Sequence, residues 1–293
     1  MANLDTLDPT AEVSALPGRR VPLKRRLISA GLWLLAAFIT LATAVFQRTT
    51  GPTYPLPVSL TIDGQKVSGK LPRTHPGPGD QPVSITVPDP VFTGELTYRR
   101  YRSHDEWTTR AMTRDGAALT APIPHQPPAG KVQYRLLLSR GGEKWEIPGA
   151  GSAPVMIRFR GDVPAWILLI HIIAMFFGML VSTRAGLEAL RRGARVTGYA
   201  WWALGLLLLG GLLFGPLVQK YAFGAYWTGW PVGDDLTDTK TLFATVFWVA
   251  AVAAGRRGRN PRWFVLAAAA AVFIIFVIPH SLHGSELDFT KIE

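Results

Sequence analysis

"PAWILLIHIIAMFFGML" occupies Pro164–Leu180. Behind its proline the chain is apolar and uncharged, and a single titratable side chain, His171, interrupts it. Carried on to Thr183, the stretch reaches the roughly 20 apolar residues that cross a bilayer as a helix. Four other stretches read the same way: Leu27–Phe46, Tyr199–Val218, Leu242–Gly255 extended by the preceding threonines, and Trp263–Pro279. The composition agrees, being 48% hydrophobic and 17% charged. Such a balance suits a membrane protein better than a soluble domain of this length.

The spans fix an expected organisation. Residues 1–26 form a cytoplasmic N-terminal segment, 27–46 an anchor helix, 53–160 an outward domain, and 163–293 a four-helix transmembrane domain. The last of these carries an outward Trp/Asp loop at 219–241. Ala42-Thr43-Ala44 has the small-residue pattern of a signal-peptidase site. The long basic segment before it and an apolar run of about 20 residues favour a retained anchor.

A net charge of +11 raises the possibility of nucleic acid as a partner. The placement of the charges argues against it. Arg19, Arg20, Lys24, Arg25 and Arg26 precede the first span; Arg184, Arg191, Arg192 and Arg195 follow the second; Arg256, Arg257, Arg259 and Arg262 follow the fourth. Basic residues flanking apolar spans mark cytoplasmic loops. The expected topology therefore puts the N-terminus inside and the C-terminus outside, in a bacterial cytoplasmic (inner) membrane, with the lipid bilayer as the first partner. The chain has no cysteine. Disulfides, thiolate metal sites and a haem-attaching Cys-x-x-Cys-His of its own are excluded.

Within 53–160, "PVSLTI", "QPVSITV", "GELTYRRYR", "KVQYRLLLS" and "PVMIRFR" alternate in period two. "DG", "HPGPGD", "PDP", "RDG" and "RGG" break them with turn formers. Short strands at this spacing over about 100 residues predict an all-β sandwich. His75, His104 and His125 scatter among its loops as solvated polar residues, and no nucleophile–base pair stands out. The domain reads as a docking module.

An ionisable residue inside a span is costly to leave unpaired and is a functional candidate by default. His171 lies about seven residues below the outer end of its helix, roughly 10 Å deep at 1.5 Å per residue. Met175 and Met179 follow on the same face. His280 and His283 sit at the outer end of the last span, in "IPHSLHGSELD". The topology gathers these histidines beside the loop that holds Tyr226, Trp227, Trp230, Asp234, Asp235 and Asp238. Each feature also has a plain structural reading. Tyr221, Tyr226, Trp227 and Trp230 suit interfacial anchors. Gly205, Gly210, Gly211 and Gly215 suit close helix packing. Asp238 suits the N-cap of the following helix.

The order of motifs resembles the tryptophan-rich haem-handling proteins of cytochrome c assembly. "FGAYW" (Phe223–Trp227) is similar to the start of their outward WGxxWxWD loop, and "DTKTLFATVFW" (Asp238–Trp248) to its end. "LIHIIAMFFGMLVS" and "IPHSLHGSE" resemble the histidine segments that flank the loop there. The similarity covers roughly 164–286. It departs at "TGWPVGDDLT", which interrupts the loop, and in the smaller number of spans. The resemblance implies a haem b at the outer membrane face, with His171 and either His280 or His283 as iron ligands. Tyr226, Trp227 and Trp230 would then wall the porphyrin, and Lys220 or an arginine would pair a propionate. It also implies a periplasmic or membrane partner such as an apocytochrome. Asp234, Asp235 and Asp238 fit poorly beside propionates and suit a helix cap or a cation site. Two alternatives stand beside this one: a structural docking subunit that recognises a periplasmic partner, and a non-haem metal protein using His280, His283, Glu286 and Asp288, or Asp234 and Asp235. No hydrolytic or redox signature decides whether the chain is an enzyme.

Overall fold

The computed structural model describes residues 22–193, 195–280 and 284–292. Helix α1 (Leu23–Thr50) leads into eleven strands, and helices α2 to α6 follow. Four helical rods are long and apolar enough to cross a membrane: Leu23–Thr50, Ala165–Leu190, Val196–Phe223 and Leu236–Arg256. The expected fifth span, α6 (Arg262–Val277), has 16 residues and falls short of that length.

The strands form two sheets. One has the order β1 (Leu56–Ile62), β2 (Gln65–Leu71), β4 (Gln81–Thr86), β8 (Ala118–Ile123), β7 (Thr113–Asp115). The other runs β3 (Thr74–Pro76), β11 (Val155–Arg160), β9 (Lys131–Arg140), β5 (Thr93–Arg100), β6 (Thr108–Ala111), with β10 (Glu143–Ile147) also paired to β9. Strand β9 shows why the sheets face each other. Val132, Tyr134, Leu136 and Leu138 are buried in strict alternation, and they share one core with Val67, Val83, Ile85 and Leu119 of the opposite sheet. The buried Tyr134 hydroxyl is satisfied by the Pro72 carbonyl at 2.8 Å. Two tight hairpins fix the register. Asp63 and Gly64 (φ 48° and 75°) join Ile62 to its partner Gln65, and Gly141 and Gly142 (φ 59° and 92°) join Arg140 to Glu143. Two-residue loops with both φ positive match the twist of antiparallel strands.

Small residues set the helix packing. Ala36, Thr40 and Thr43 are the buried positions of α1, spaced to share one face, and Thr43 Oγ1 donates to the Ile39 carbonyl so that it buries no unpaired donor. In α2 (Ala165–Leu190), Ala174, Gly178, Ser182, Ala185 and Ala189 are buried. A β-carbon on Gly186 would stand 2.8 Å from Ala269 Cβ of α6, so these two backbones approach as closely as small residues allow. Across the bundle, α3 (Val196–Leu207) continues through a π-helical stretch, Leu208–Phe214, into α4 (Gly215–Phe223). Trp248 of α5 (Leu236–Arg256) is fully buried among these helices.

Arg184 belongs to this interior and not to a loop. Its side chain is 1% exposed and pairs with Glu188 at 2.7 Å. The guanidinium also lies 4.7 Å from the Tyr199 ring and 5.5 Å from that of Trp33. It therefore joins α1, α2 and α3.

The segment after α6 ties the sheets to the helices. Arg158 Nη2 donates to the Gly284 carbonyl at 2.7 Å, and the Leu287 amide donates to the Ala129 carbonyl at 3.1 Å. Glu286 pairs with Lys131 and, at 2.8 Å, with Arg102. Burial lowers the Lys131 ammonium below its ordinary range, against the opposing pull of Glu286. Phe289 is 3% exposed, with the Arg100 guanidinium 4.6 Å from its ring. From the other direction, the Gly161 amide donates to the Ala222 carbonyl of α4 at 3.0 Å.

Candidate functional site

His171 sits on α2 facing the π-helical stretch. Its Nδ1 lies 2.8 Å from the Gly210 carbonyl oxygen. A carbonyl can only accept, so Nδ1 carries the proton and Nε2 is left with its lone pair. Among the described residues, Nε2 has no hydrogen-bond partner. Glycine makes the contact feasible: a β-carbon on Gly210 would stand 2.9–3.0 Å from atoms of Ala174 and Met175. Short π-helical segments recur at functional sites, where they displace a carbonyl from the regular ladder.

His280 follows the end of α6. Lys240 of α5 lies alongside, with Nζ 3.5 Å from His280 Nδ1 and 2.8 Å from the Ile278 carbonyl it donates to. His280 is within electrostatic reach of Lys240, His171 and Asp235. His280 is exposed as a residue. Packing around the imidazole, and then the Lys240 ammonium, hold it below the ordinary histidine range. His280 is thus neutral at pH 7. His283 lies outside the described residues.

The loop residues take other places. Asp235, not Asp238, is the N-cap of α5: its Oδ1 accepts from the amides of Thr237 at 2.7 Å and Asp238 at 3.3 Å. The reason is positional, because Leu236 and Thr237 are already helical. Asp238 turns back to accept from the Thr228 amide at 2.8 Å. Ser285 donates to Asp235 Oδ2 at 2.6 Å, and Gln219 donates to the Thr228 and Ser285 hydroxyls. Asp235 and Asp238 thereby hold loop, helix and tail together. Removing the cap by Asp235→Ala is expected to cost about 1–2 kcal/mol, the upper part of the range for lost N-caps. Thermal unfolding of the purified protein checks this, with Asp235→Ser expected to recover part of the loss and Asp234→Ala, at an exposed position, to be near neutral.

The aromatic residues likewise have partners of their own. Lys220 donates to the Gly224 carbonyl at 2.7 Å and lies over the Tyr226 ring at 5.4 Å. Trp227 Nε1 donates to the Trp230 carbonyl at 3.2 Å, while the Trp230 ring stacks on Phe243 at 6.5 Å. Trp227 and Asp234 line a cavity of about 340 Å3 between loop and sheets, with Arg102 and Glu286 opposite. Glu286 and Asp288 are engaged elsewhere, Asp288 capping the final helical turn. Among the described residues, no three His, Asp or Glu side chains gather as a metal site. Sequence reasoning passed over Gln219 and Lys240, two polar side chains at the ends of apolar spans. The rule that singled out His171 does not reach them: Gln219 is not ionisable, and Lys240 precedes the apolar stretch that begins at Leu242, although α4 and α5 in fact include them.

The sequence matches no protein-family model and no curated protein at significant similarity.

Proposed function

We propose that the chain is a haem-handling protein of a bacterial cytoplasmic membrane, holding haem b between His171 and His280 at the outer face. The N-terminus is then cytoplasmic and the β-sandwich periplasmic. The observation that carries the proposal is the 2.8 Å contact from His171 Nδ1 to the Gly210 carbonyl. Metal-ligating histidines characteristically donate their second nitrogen to a carbonyl or carboxylate, which fixes the ring and the tautomer. Here that leaves Nε2 available in a low-dielectric setting.

The donor set would suit an iron porphyrin: His171 and His280 would hold its iron, and no cluster of three protein donors would be needed. When bound, the group supplies an iron centre whose redox and ligand chemistry its surroundings tune. The residues do the rest. Gly210 orients His171; burial, and after it the Lys240 ammonium, keeps His280 neutral; and the apolar α2 side chains exclude water. Lys220, exposed at the end of α4 where it donates to the Gly224 carbonyl, or an arginine would pair a propionate, as the resemblance implies. The sandwich, braced through Glu286, would present the site to a periplasmic protein partner.

Haemin titration of the detergent-purified protein tests the proposal. His171→Ala should weaken binding by more than the ~10–100-fold that loss of an outer-shell partner costs. His280→Ala should leave a weaker, differently coloured complex, and His75→Ala should bind as the parent does. Equal affinity in all four proteins would reject the site.

A further inference from the structure

The end of the bundle remote from the sheets has a second cavity, of about 480 Å3, between α2, α3 and α6. Arg192, Arg262, Thr197 and Asn260 line it, together with the first turn of α3 at Val196. Among the described residues no side chain caps α3, and the first amides of a helix lack intrahelical partners. Arg262 is anchored by its Nε to the Ala189 carbonyl at 2.9 Å. Arg192 forms no ion pair or side-chain hydrogen bond among the described residues. Among the described residues, the carboxylate close by is that of Glu188 beneath Gly193, and Arg184 neutralises it. The cavity is therefore cationic, and its open amides complement an anion.

The surrounding rings indicate where that anion comes from. Trp263 is 69% exposed, with Arg262 over its ring at 5.1 Å, and Arg256 likewise lies over the exposed Trp201 ring at 5.7 Å. Exposed tryptophans beside arginines at the end of apolar helices mark headgroup depth. We propose that this cavity binds the phosphate of an anionic phospholipid, with Arg192 as the charge-bearing contact and Arg262 and the α3 amides as its frame. Basic pockets between membrane helices hold anionic headgroups by the same chemistry. A lipid bound there would also bridge α2, α3 and α6. The proposal is independent of haem.

Thermal unfolding in detergent micelles, titrated with phosphatidylglycerol, phosphatidylcholine or inorganic phosphate, provides the test. A ligand that binds only the folded state raises the melting temperature with concentration. Phosphatidylglycerol is expected to stabilise at concentrations where phosphatidylcholine and inorganic phosphate do not. Arg192→Gln should raise the half-saturating concentration about tenfold, the scale of one charge-assisted contact. Among the described residues the Arg192 side chain has no partner to lose, so the variant should fold; Arg191→Gln, outside the cavity, should respond as the parent. A response to inorganic phosphate equal to that of phosphatidylglycerol would overturn the lipid assignment, and an unchanged response in Arg192→Gln would overturn the site.

Discussion

Glu188→Ala is expected to be among the most destabilising single substitutions in the helical bundle, at about 3–5 kcal/mol. The pair it breaks is 1% and 7% exposed. Its removal leaves the Arg184 guanidinium facing two aromatic rings and the Ser29 hydroxyl at 3.5 Å, with Nε already unpartnered among the described residues. Cation–π contacts recover about 0.5–2 kcal/mol, less than the cost of an uncompensated buried charge. Two further variants separate charge from packing. Glu188→Gln should lose less, because it keeps an acceptor for Arg184. Replacing both members, Arg184→Met with Glu188→Leu, should recover most of the stability, as buried pairs exchanged for apolar residues of similar volume often do. Unfolding midpoints of the detergent-purified proteins decide the matter. An unchanged midpoint in Glu188→Ala would mean that water reaches the pair.

Phe159→Ala should be comparably costly in the sheet domain, about 3–5 kcal/mol for a buried phenylalanine. Phe159 is fully buried, with edge contacts to His75 and His125 at ring distances of 5.3 and 5.7 Å. Its backbone also accepts from Ala129 and donates to Gly130, next to the amide-to-carbonyl bond that receives the C-terminal segment. Losing the ring would loosen the corner where β11 meets the tail. Phe159→Leu should lose less, and Val91→Ala, at a 63% exposed position, should lose little. Near-equal unfolding profiles for Phe159→Ala and Val91→Ala would show that the corner repacks.

These two sites also show what the sequence disclosed and what it hid. The strand at Lys131–Arg140 was legible because one face is buried and the other is not, so its pattern has the period of the sheet. The stretch at Pro164–Thr183 was legible as a helix for a different reason, an uncharged apolar run of bilayer length. Its end was not: Arg184 belongs by charge to the basic group that follows, yet the helix continues to Leu190 and buries it. Charge placement cannot distinguish a flanking arginine from one whose partner is four residues ahead. The three aspartates of the loop were equally ambiguous, since any of them satisfies the N-cap preference. Only the backbone makes Asp235 the cap. His171 was evident from its setting, but the Gly210 carbonyl that orients it depends on a π-helical segment with no strong sequence signature. The contacts of Gly284, Glu286, Leu287 and Phe289 with the sheet domain join residues more than 120 apart in the chain, beyond any local pattern.

The direct test of the haem assignment is the visible absorption spectrum of the protein purified from haem-synthesising cells, recorded oxidised and reduced. Nitrogen-ligated haem gives strong bands that shift on reduction, and their loss in His171→Ala would place the iron at this imidazole. The expected result is a coloured parent protein with such bands and a His171→Ala protein largely without them. A colourless parent that takes up added haemin no more tightly than His171→Ala would contradict the account.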